Sequence, residues 1–405
     1  MAAILMANTA CDKNEPQKSK DNVRQDITLT KAQSEICSVT NDFTFDFMKT
    51  LASLGENQQN VFASPFSLQT VLAMVAEGAE GSTRDEMYEA LRLSGIDKDE
   101  IAGFFRYIIP SLEGADNTTV LEIANSFWAK QSIEIKDDYA AKLKTSYYAE
   151  TRNLPFDGKV AARDINKWCS DKTHGMINKI VDTIEPDLLV SLINAIYFKG
   201  EWATKFNSAN NYKDTFHNFD GNKTEVTLMN RRSDMYISEN EDAAAVSLNY
   251  GNGAYGMTVI LPHKDVNVND VLAKLDAESW KAYRFGGDKY NVNLSFPKFE
   301  TEYTAEDICI KALNEMGMAK AFTPAAEFSG ISDTRLCIDQ VIHKAKIKVN
   351  EKGTEAAAVS YVGMKLATAV SPTLPYEFKV DRPFIYAISE VSTGTIVFIG
   401  VQRNF

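Results

Sequence analysis

The sequence predicts an α+β fold in one large domain. Helical spacing of apolar residues dominates the first 190 residues, and two-residue alternation of apolar and polar residues dominates the rest. Helices followed by many long strands are typical of α+β folds. The 405 residues are 44% hydrophobic, which is enough to bury a large core, and no long linker or internal repeat divides residues 40–405.

The N-terminal half contains three clear helix signals. Apolar residues at helical spacing predict a first helix at Ile36, Phe43, Phe47 and Leu51. Ser64-Pro65 is a start signal for a second helix through LQTVLAMVAEGA, since proline is tolerated in a first turn. A third helix is predicted in GSTRDEMYEALRL, with Ser82 or Thr83 as its cap and Glu86 closing a capping box.

Strand signals follow from VLEIANSFWA and LLVSLINAIYFKGEW onward. Further strands are predicted in TEVTLMNRR, DAAAVSLNY, YGMTVILPH, YNVNLSFPKFETEY, IKVNEKG, YEFKVDRPFIYAISE and TGTIVFIGV. Helices return at VNDVLAKL and TAEDICIKALNEMGM. So many strands imply more than one sheet.

Composition excludes several functions. The net charge of −12 and the lack of a basic run argue against nucleic-acid binding. The cysteines show no C-x-x-C spacing and no histidine at ligand spacing, so no metal or other cofactor is predicted. The four histidines lie in no context typical of a hydrolase, which argues against an enzyme.

The N-terminus predicts export. Residues 1–11 form a short apolar stretch ending in Ala10-Cys11, which resembles the end of a bacterial lipoprotein signal, although no basic residue precedes it. We therefore expect an extracytoplasmic protein that is secreted, periplasmic or attached to the outer membrane through lipidated Cys11. The alternatives are a truncated start or a frayed tail. Residues 12–35 are predicted to be a flexible polar segment before a domain at 36–405.

One stretch, EKGTEAAAVSYVGMKLATAV at 351–370, has the pattern of a strand and the composition of a loop. Small or apolar residues occupy every second position at Thr354, Ala356, Ala358, Ser360, Val362, Met364 and Leu366. The small ones come first. Gly353 permits a reversal of the chain, and the stretch ends in Thr-Ala-Val-Ser-Pro, which is typical of a loop.

Five segments together resemble the serpin family in order and spacing. They are INKWCSDKTHGMINKIVDTIEPDLLVSLINAIYFKGEWATKF (165–206), NVFASPFSLQTVLAMVAEGAEGSTRDEM (60–87), LSFPKF (294–299), IHKAKIKVNEKGTEAAA (342–358) and VDRPFIYAISEVSTGTIVFIGVQ (380–402). The resemblance implies three β-sheets, about nine helices and an exposed reactive-centre loop at about 351–375. It also implies a monomeric, metastable inhibitor that acts as a suicide substrate. In inhibitory members a serine or cysteine protease cleaves the loop to an acyl-enzyme, and the loop then inserts into the large sheet and traps the protease.

The resemblance assigns a hinge at the start of the loop. The hinge consists of Glu351, Gly353, Thr354, Glu355, Ala356, Ala357 and Ala358. Non-inhibitory serpins commonly carry charged or bulky residues or proline there, so this hinge matches the inhibitory pattern. A non-inhibitory binding or carrier protein is the alternative.

Counting from the hinge places the scissile bond between Ala367 and Thr368. A small residue there suits an elastase-like protease. Lys365 would instead suit a trypsin-like enzyme, and Met364 or Leu366 a chymotrypsin- or subtilisin-like one.

Other matched positions are implied to control the opening of the sheet. Ser64, Ser67, Asn194 and His343 fall on the family's shutter motif beneath the centre of the sheet. Trp202 falls on the breach, where the loop first enters, and Lys298 on the position that pairs with the hinge glutamate Glu351.

Overall fold

The computed structural model describes residues 22–354 and 375–405. Its nine α-helices are α1 (Lys31–Leu51), α2 (Pro65–Ala76), α3 (Gly81–Ala90), α4 (Lys98–Glu113), α5 (Asp137–Ser146), α6 (Lys159–Lys172), α7 (Val268–Lys274), α8 (Ala277–Phe285) and α9 (Asp307–Glu315). Six of the nine precede residue 173, as the apolar spacing of the N-terminal half predicted. In these described residues, no helix is both long and apolar enough to cross a membrane.

The described part also contains fifteen strands. They are β1 (Val61–Ala63), β2 (Val120–Lys130), β3 (Glu150–Leu154), β4 (Val190–Glu201), β5 (Tyr212–His217), β6 (Lys223–Glu239), β7 (Ala243–Asn249), β8 (Tyr255–Pro262), β9 (Asp288–Pro297), β10 (Phe299–Ala305), β11 (Gln340–Asn350), β12 (Gly353–Thr354), β13 (Tyr376–Lys379), β14 (Phe384–Glu390) and β15 (Ile396–Gln402). The predicted α+β class is confirmed.

The strands form two hydrogen-bonded networks. A six-stranded sheet has the order β10-β11-β12-β4-β2-β3, with an additional pairing of β11 to β4. A nine-stranded network has the order β1-β15-β14-β8-β7-β6-β9-β13, and β5 pairs with β6. The 17-residue strand β6 pairs successively with β5, β9 and β7. We infer that this long strand joins two of the three expected sheets into one network.

The six-stranded sheet is covered on both faces. Helix α2 is buried along its whole length and packs in the main core between the two sheets. On the outer face, α6 encloses a second core in which Trp128 meets Trp168 edge to face with ring centroids 6.0 Å apart. Ile193 of β4 and Ile342 of β11 belong to this second core. Both strands therefore have one face in each core.

The folded part begins before the predicted boundary at residue 36. Helix α1 starts at Lys31, behind a capping box formed by Thr30 and Gln33. The preceding residues are bound to the domain, since Asn22 donates to Asp116 at 2.9 Å and the Ile27 backbone N–H donates to Ser392 Oγ at 2.9 Å. Cys11 lies outside the described residues, and its lipidation stays a prediction.

The predicted cap of α3 is wrong. The helix begins at Gly81 and has Glu80 at its N-cap, without a side-chain cap. Glu86 accepts instead from the backbone N–H groups of Ala319 and Lys320, at 3.1 and 2.7 Å. The Glu86 carboxylate therefore binds donors that are distant in the sequence and does not cap α3.

Candidate functional site

The first residues of the two-residue pattern lie inside the six-stranded sheet. Strand β12, which we call the hinge strand, runs antiparallel to both of its neighbours and places Thr354 opposite Val349 of β11 and Gly200 of β4. Thr354 is only 2% exposed. Gly353 has φ +150°, and a Cβ there would lie 2.0 Å from the Gly200 carbonyl oxygen, so glycine is required.

Below the hinge strand, β4 and β11 have an unpaired stretch between them, which we call the opening. Residues 340–343 of β11 pair in parallel with 191–194 of β4, ending with His343 opposite Asn194. Between that pairing and the hinge strand, no pairing joins 344–348 to 195–199 in the described structure. The register of β11 relative to β4 is the same below and above this stretch. Below it, His343 is opposite Asn194; above it, Thr354 pairs with both Val349 and Gly200, and the two residues of each set are 149 positions apart. A strand can enter here without sliding β4 along β11.

Trp202 closes the top of this opening. Its indole Nε1–H donates to the Asn350 carbonyl oxygen at 2.9 Å, and its backbone N–H donates to the Lys352 carbonyl oxygen at 2.7 Å. The ring stacks on Tyr250 with centroids 4.4 Å apart. Trp202 thereby fixes the turn from β11 into the hinge strand.

The structure brings Lys298 and Glu351 together. The Lys298 ammonium lies 3.0 Å from Glu351 Oε1, which also accepts from Asn211 Nδ2 at 2.6 Å. The Phe206 backbone N–H donates to the Glu351 carbonyl oxygen at 3.0 Å. Burial alone would raise the pKa of Glu351, but the hydrogen bonds to its carboxylate, with the charge of Lys298, lower it.

Neutralising this pair is expected to have a small effect. The Lys298 side chain is 38% exposed, and partly exposed ion pairs contribute under about 1 kcal/mol. A double-mutant cycle with Glu351→Gln and Lys298→Met, read from urea unfolding midpoints, should give a coupling below about 1 kcal/mol that fades in 1 M salt. A salt-insensitive coupling of several kcal/mol would show instead that the pair behaves as a buried one.

The predicted shutter residues Ser64, Ser67 and His343 meet beneath the opening. His343 is fully buried, and its Nε2 accepts from the Ser64 backbone N–H at 2.9 Å. Ser64 Oγ donates to the Val397 carbonyl oxygen at 2.6 Å and accepts from the Ser67 N–H at 3.4 Å. Since Val397 belongs to β15, these bonds join β11, the start of α2 and the second sheet. Burial lowers the pKa of His343 to about 4.

The fourth predicted shutter residue, Asn194, lies beside His343 but bonds in the other direction. Its Nδ2 donates to Asn125 Oδ1 on β2 at 2.8 Å, and Asn125 donates to the Tyr147 carbonyl oxygen at 3.2 Å. Three buried atoms of the cluster, Ser67 Oγ, Asn194 Oδ1 and His343 Nδ1, have no hydrogen-bond partner among the described residues. These three atoms can therefore still hydrogen-bond to a polar group that enters the unpaired stretch.

Several predicted positions lie outside the described residues. They are Cys11, Glu355, Ala356, Ala357, Ala358, Met364, Lys365, Leu366, Ala367 and Thr368. Conversely, no sequence motif pointed to Asn125 or Tyr250, both of which contact the site. Each acts through a partner far away in the sequence, so no local motif could have identified them.

The chain matches one protein family along most of its length. The family model described as Serpin (serine protease inhibitor) matches residues 38–404. This chain is a serpin. Among its relatives, an uncharacterized serpin-like protein of Thermococcus kodakarensis is 35% identical over 387 residues, covering 94% of this chain and 88% of the relative. Serine protease inhibitor A3K of Mus musculus is 30% identical over 397 residues, covering 95% of this chain and 91% of the relative.

Solved structures agree with the fold. The native state of tengpin, a thermophilic serpin, superposes with a TM-score of 0.85 at 31% identity, covering 96% of this serpin and 98% of tengpin. Human thyroxine-binding globulin superposes with a TM-score of 0.84 at 26% identity, covering 92% and 99% of the two chains. A thermophilic serpin and a thyroxine-binding globulin thus share this fold.

Proposed function

We propose that this serpin inhibits proteases as a suicide substrate. A serine or cysteine protease cleaves the loop to an acyl-enzyme, and the loop then inserts between β4 and β11 and carries the protease with it. The observation that supports this most is the hinge strand itself. Thr354 is already paired with both flanking strands, in the register that β4 and β11 keep below the opening.

Continuing that register explains why small residues come first. Ala356 would face the main core between Ile347 and Phe198, and Ala358 would lie between Ala345 and Ile196. Side chains directly opposite one another in paired strands share a face. Alanines can pass between these buried residues, whereas bulky side chains would collide with them.

The same register brings Ser360 to the shutter. It would lie between His343 and Asn194, on the side of the three buried polar atoms that lack a partner. A serine hydroxyl both donates and accepts, so it can hydrogen-bond there. A polar residue at this one core-facing position therefore matches the polar cluster beneath it.

Glu355 would face the opposite side of the sheet in this register. It would lie between Lys348 of β11 and Lys199 of β4, and opposite charges directly across a strand pair attract. The one acidic residue after Thr354 in the hinge is thus placed between two basic ones. Inserted at the preceding or following position, a carboxylate would enter the main core.

The proposed scissile bond is Ala367–Thr368, and the proposed target is elastase-like. Cleavage next to Lys365 by a trypsin-like enzyme, or at Met364 or Leu366 by a chymotrypsin- or subtilisin-like one, is the second option. The cut position in a trapped complex separates these targets.

Carriage of a small ligand is the second candidate function. It is favoured by the likeness to thyroxine-binding globulin, whose structure was solved with thyroxine. A carrier needs no insertion of its loop. The two functions therefore differ in what happens after the loop is cut.

The test is a panel of elastase, trypsin, chymotrypsin, subtilisin and papain, each incubated with the protein and analysed on a denaturing gel. We expect covalent complexes, and mass spectrometry of the released C-terminal peptide gives the cut. Thr354→Arg should be cleaved without forming a complex. Thr354 is only 2% exposed, and burying an unpaired guanidinium at its position is energetically unfavourable. Thr354→Ser is the matched control and should still trap.

Heat stability of the cleaved protein provides a second readout. Insertion adds on the order of ten ladder hydrogen bonds at about 0.5–1.5 kcal/mol each. The cleaved wild type should therefore melt about 10 °C or more above the intact protein, and cleaved Thr354→Arg should not. Equal melting temperatures of intact and cleaved wild type, or a complex formed by Thr354→Arg, would contradict the proposal.

A further inference from the structure

The Thr354 hydroxyl has a single, deeply buried partner in the described structure. Tyr250, which is 0% exposed, places its hydroxyl oxygen 2.7 Å from Thr354 Oγ1. Around this pair the surface is apolar, with Val349 opposite Thr354 and Phe198 against the Tyr250 ring, the two ring centroids being 5.0 Å apart. Without Tyr250, the Thr354 hydroxyl would be buried among apolar groups, which is unfavourable.

Tyr250 is itself held firmly. Its ring is stacked on Trp202, and an isolated β-bridge joins the backbones of these two residues. The following turn is fixed by Asp116, whose Oδ2 accepts from the Asn252 backbone N–H at 3.0 Å. Gly251 in this turn has φ +42°, and a Cβ there would lie 1.9 Å from Asp116 Oδ2, so the turn also requires glycine. The Tyr250 hydroxyl therefore has a fixed position beside the hinge strand.

We propose that Tyr250 is a positioning residue that holds the hinge strand in the sheet before cleavage. The inference rests on the proposed inhibitory function. After acylation, insertion competes with deacylation, and a hinge that is already seated starts without first finding its place between β4 and β11. The Tyr250 to Thr354 hydrogen bond increases the fraction of molecules in this seated state. It also accounts for threonine rather than alanine at the first core-facing position.

The test compares Tyr250→Phe, Thr354→Val and the double variant. Each change removes a hydroxyl and keeps the shape of the side chain, except for the methyl that replaces Oγ1. Loss of one neutral hydrogen bond should increase hydrogen exchange of the peptide containing residues 353–354 about two- to tenfold. The stoichiometry of inhibition should rise by a similar factor, because more acyl-enzyme is hydrolysed. In the double variant the effects should not multiply.

Tyr255→Phe is the matched control. Tyr255 is also buried, packs on Phe198 and bonds through its hydroxyl to the Leu112 carbonyl oxygen rather than to the hinge. It should leave exchange at residues 353–354 unchanged. If Tyr250→Phe matches the control in both exchange and stoichiometry, or if the single effects multiply in the double variant, the inference fails. Exchange decides the matter even if the wild type traps no protease, so the two proposals can fail separately.

Discussion

Replacing Ala358 by glutamate is expected to abolish protease trapping, whereas the same replacement at Ala357 is expected to preserve it. Both positions lie outside the described residues, and the orientation expected for them in an inserted strand follows from the register of Thr354 with Val349 and Gly200. In an inserted strand that continues this register, residue 358 would face the main core between Ala345 and Ile196, both of which are buried. An unpaired carboxylate there costs several kcal/mol.

In the same inserted strand, residue 357 would face the other side, beside Lys346 and Tyr197. The Lys346 ammonium already lies 3.0 Å from Glu300 and 3.4 Å from Glu302 on β10, so a further carboxylate finds a cation within reach. Its side chain is 24% exposed, which keeps the cost of burying charge low. The expected stoichiometry of inhibition is close to that of the wild type for Ala357→Glu and more than about tenfold higher for Ala358→Glu.

The measurement is the stoichiometry of inhibition with whichever protease in the panel forms a complex, together with the melting temperature of the cleaved variant. Cleaved Ala357→Glu should gain heat stability like the wild type, and cleaved Ala358→Glu should not. Equal behaviour of the two variants would show that the inserted strand does not continue in the register of the hinge strand.

The alternation in EKGTEAAAVSYVGMKLATAV could be read from the sequence because it depends only on the two-residue period of a strand. The pairing of Gly353 and Thr354 with β11 and β4 in the uncleaved chain could not be read from the sequence. It depends on the separation of β4 and β11, which are 149 positions apart along the chain. Local pattern therefore predicts which residues would face the core, and tertiary structure determines that Gly353 and Thr354 already pair with β11 and β4.

At the shutter, too, some residues could be predicted from the sequence and others could not. Resemblance to the family assigned Ser64 and His343, and the structure gives their bond a physical role, since it ties β11 to the start of α2. Asn125 and Tyr250 escaped prediction because their partners, Asn194 and Thr354, lie 69 and 104 residues away. Glu86 is the converse case: a local capping pattern predicted its role, and donors more than 230 residues away displaced it.

Acid is expected to weaken the native state through His343. Burial lowers the pKa of this imidazole from 6.5 to about 4, whereas in the unfolded chain it keeps its ordinary value. Between these two pH values the unfolded chain binds a proton that the native protein does not. Native stability therefore falls as the pH decreases from about 6.5 to about 4, by about 1.4 kcal/mol per pH unit and roughly 3 kcal/mol in total.

The matched variant is His343→Gln, because a glutamine carbonyl oxygen can still accept from the Ser64 N–H but does not titrate. Urea unfolding midpoints of both proteins between pH 8 and pH 4 give the difference that belongs to His343, since all other titrating groups are shared. The wild type should lose stability relative to the variant below pH 6.5, and parallel profiles would exclude His343 as the acid-sensitive group. Because this imidazole joins β11 to α2 directly beneath the unpaired stretch, its protonation should also speed the opening of the sheet, and the loop should insert faster at pH 5 than at pH 7.5 in the wild type alone.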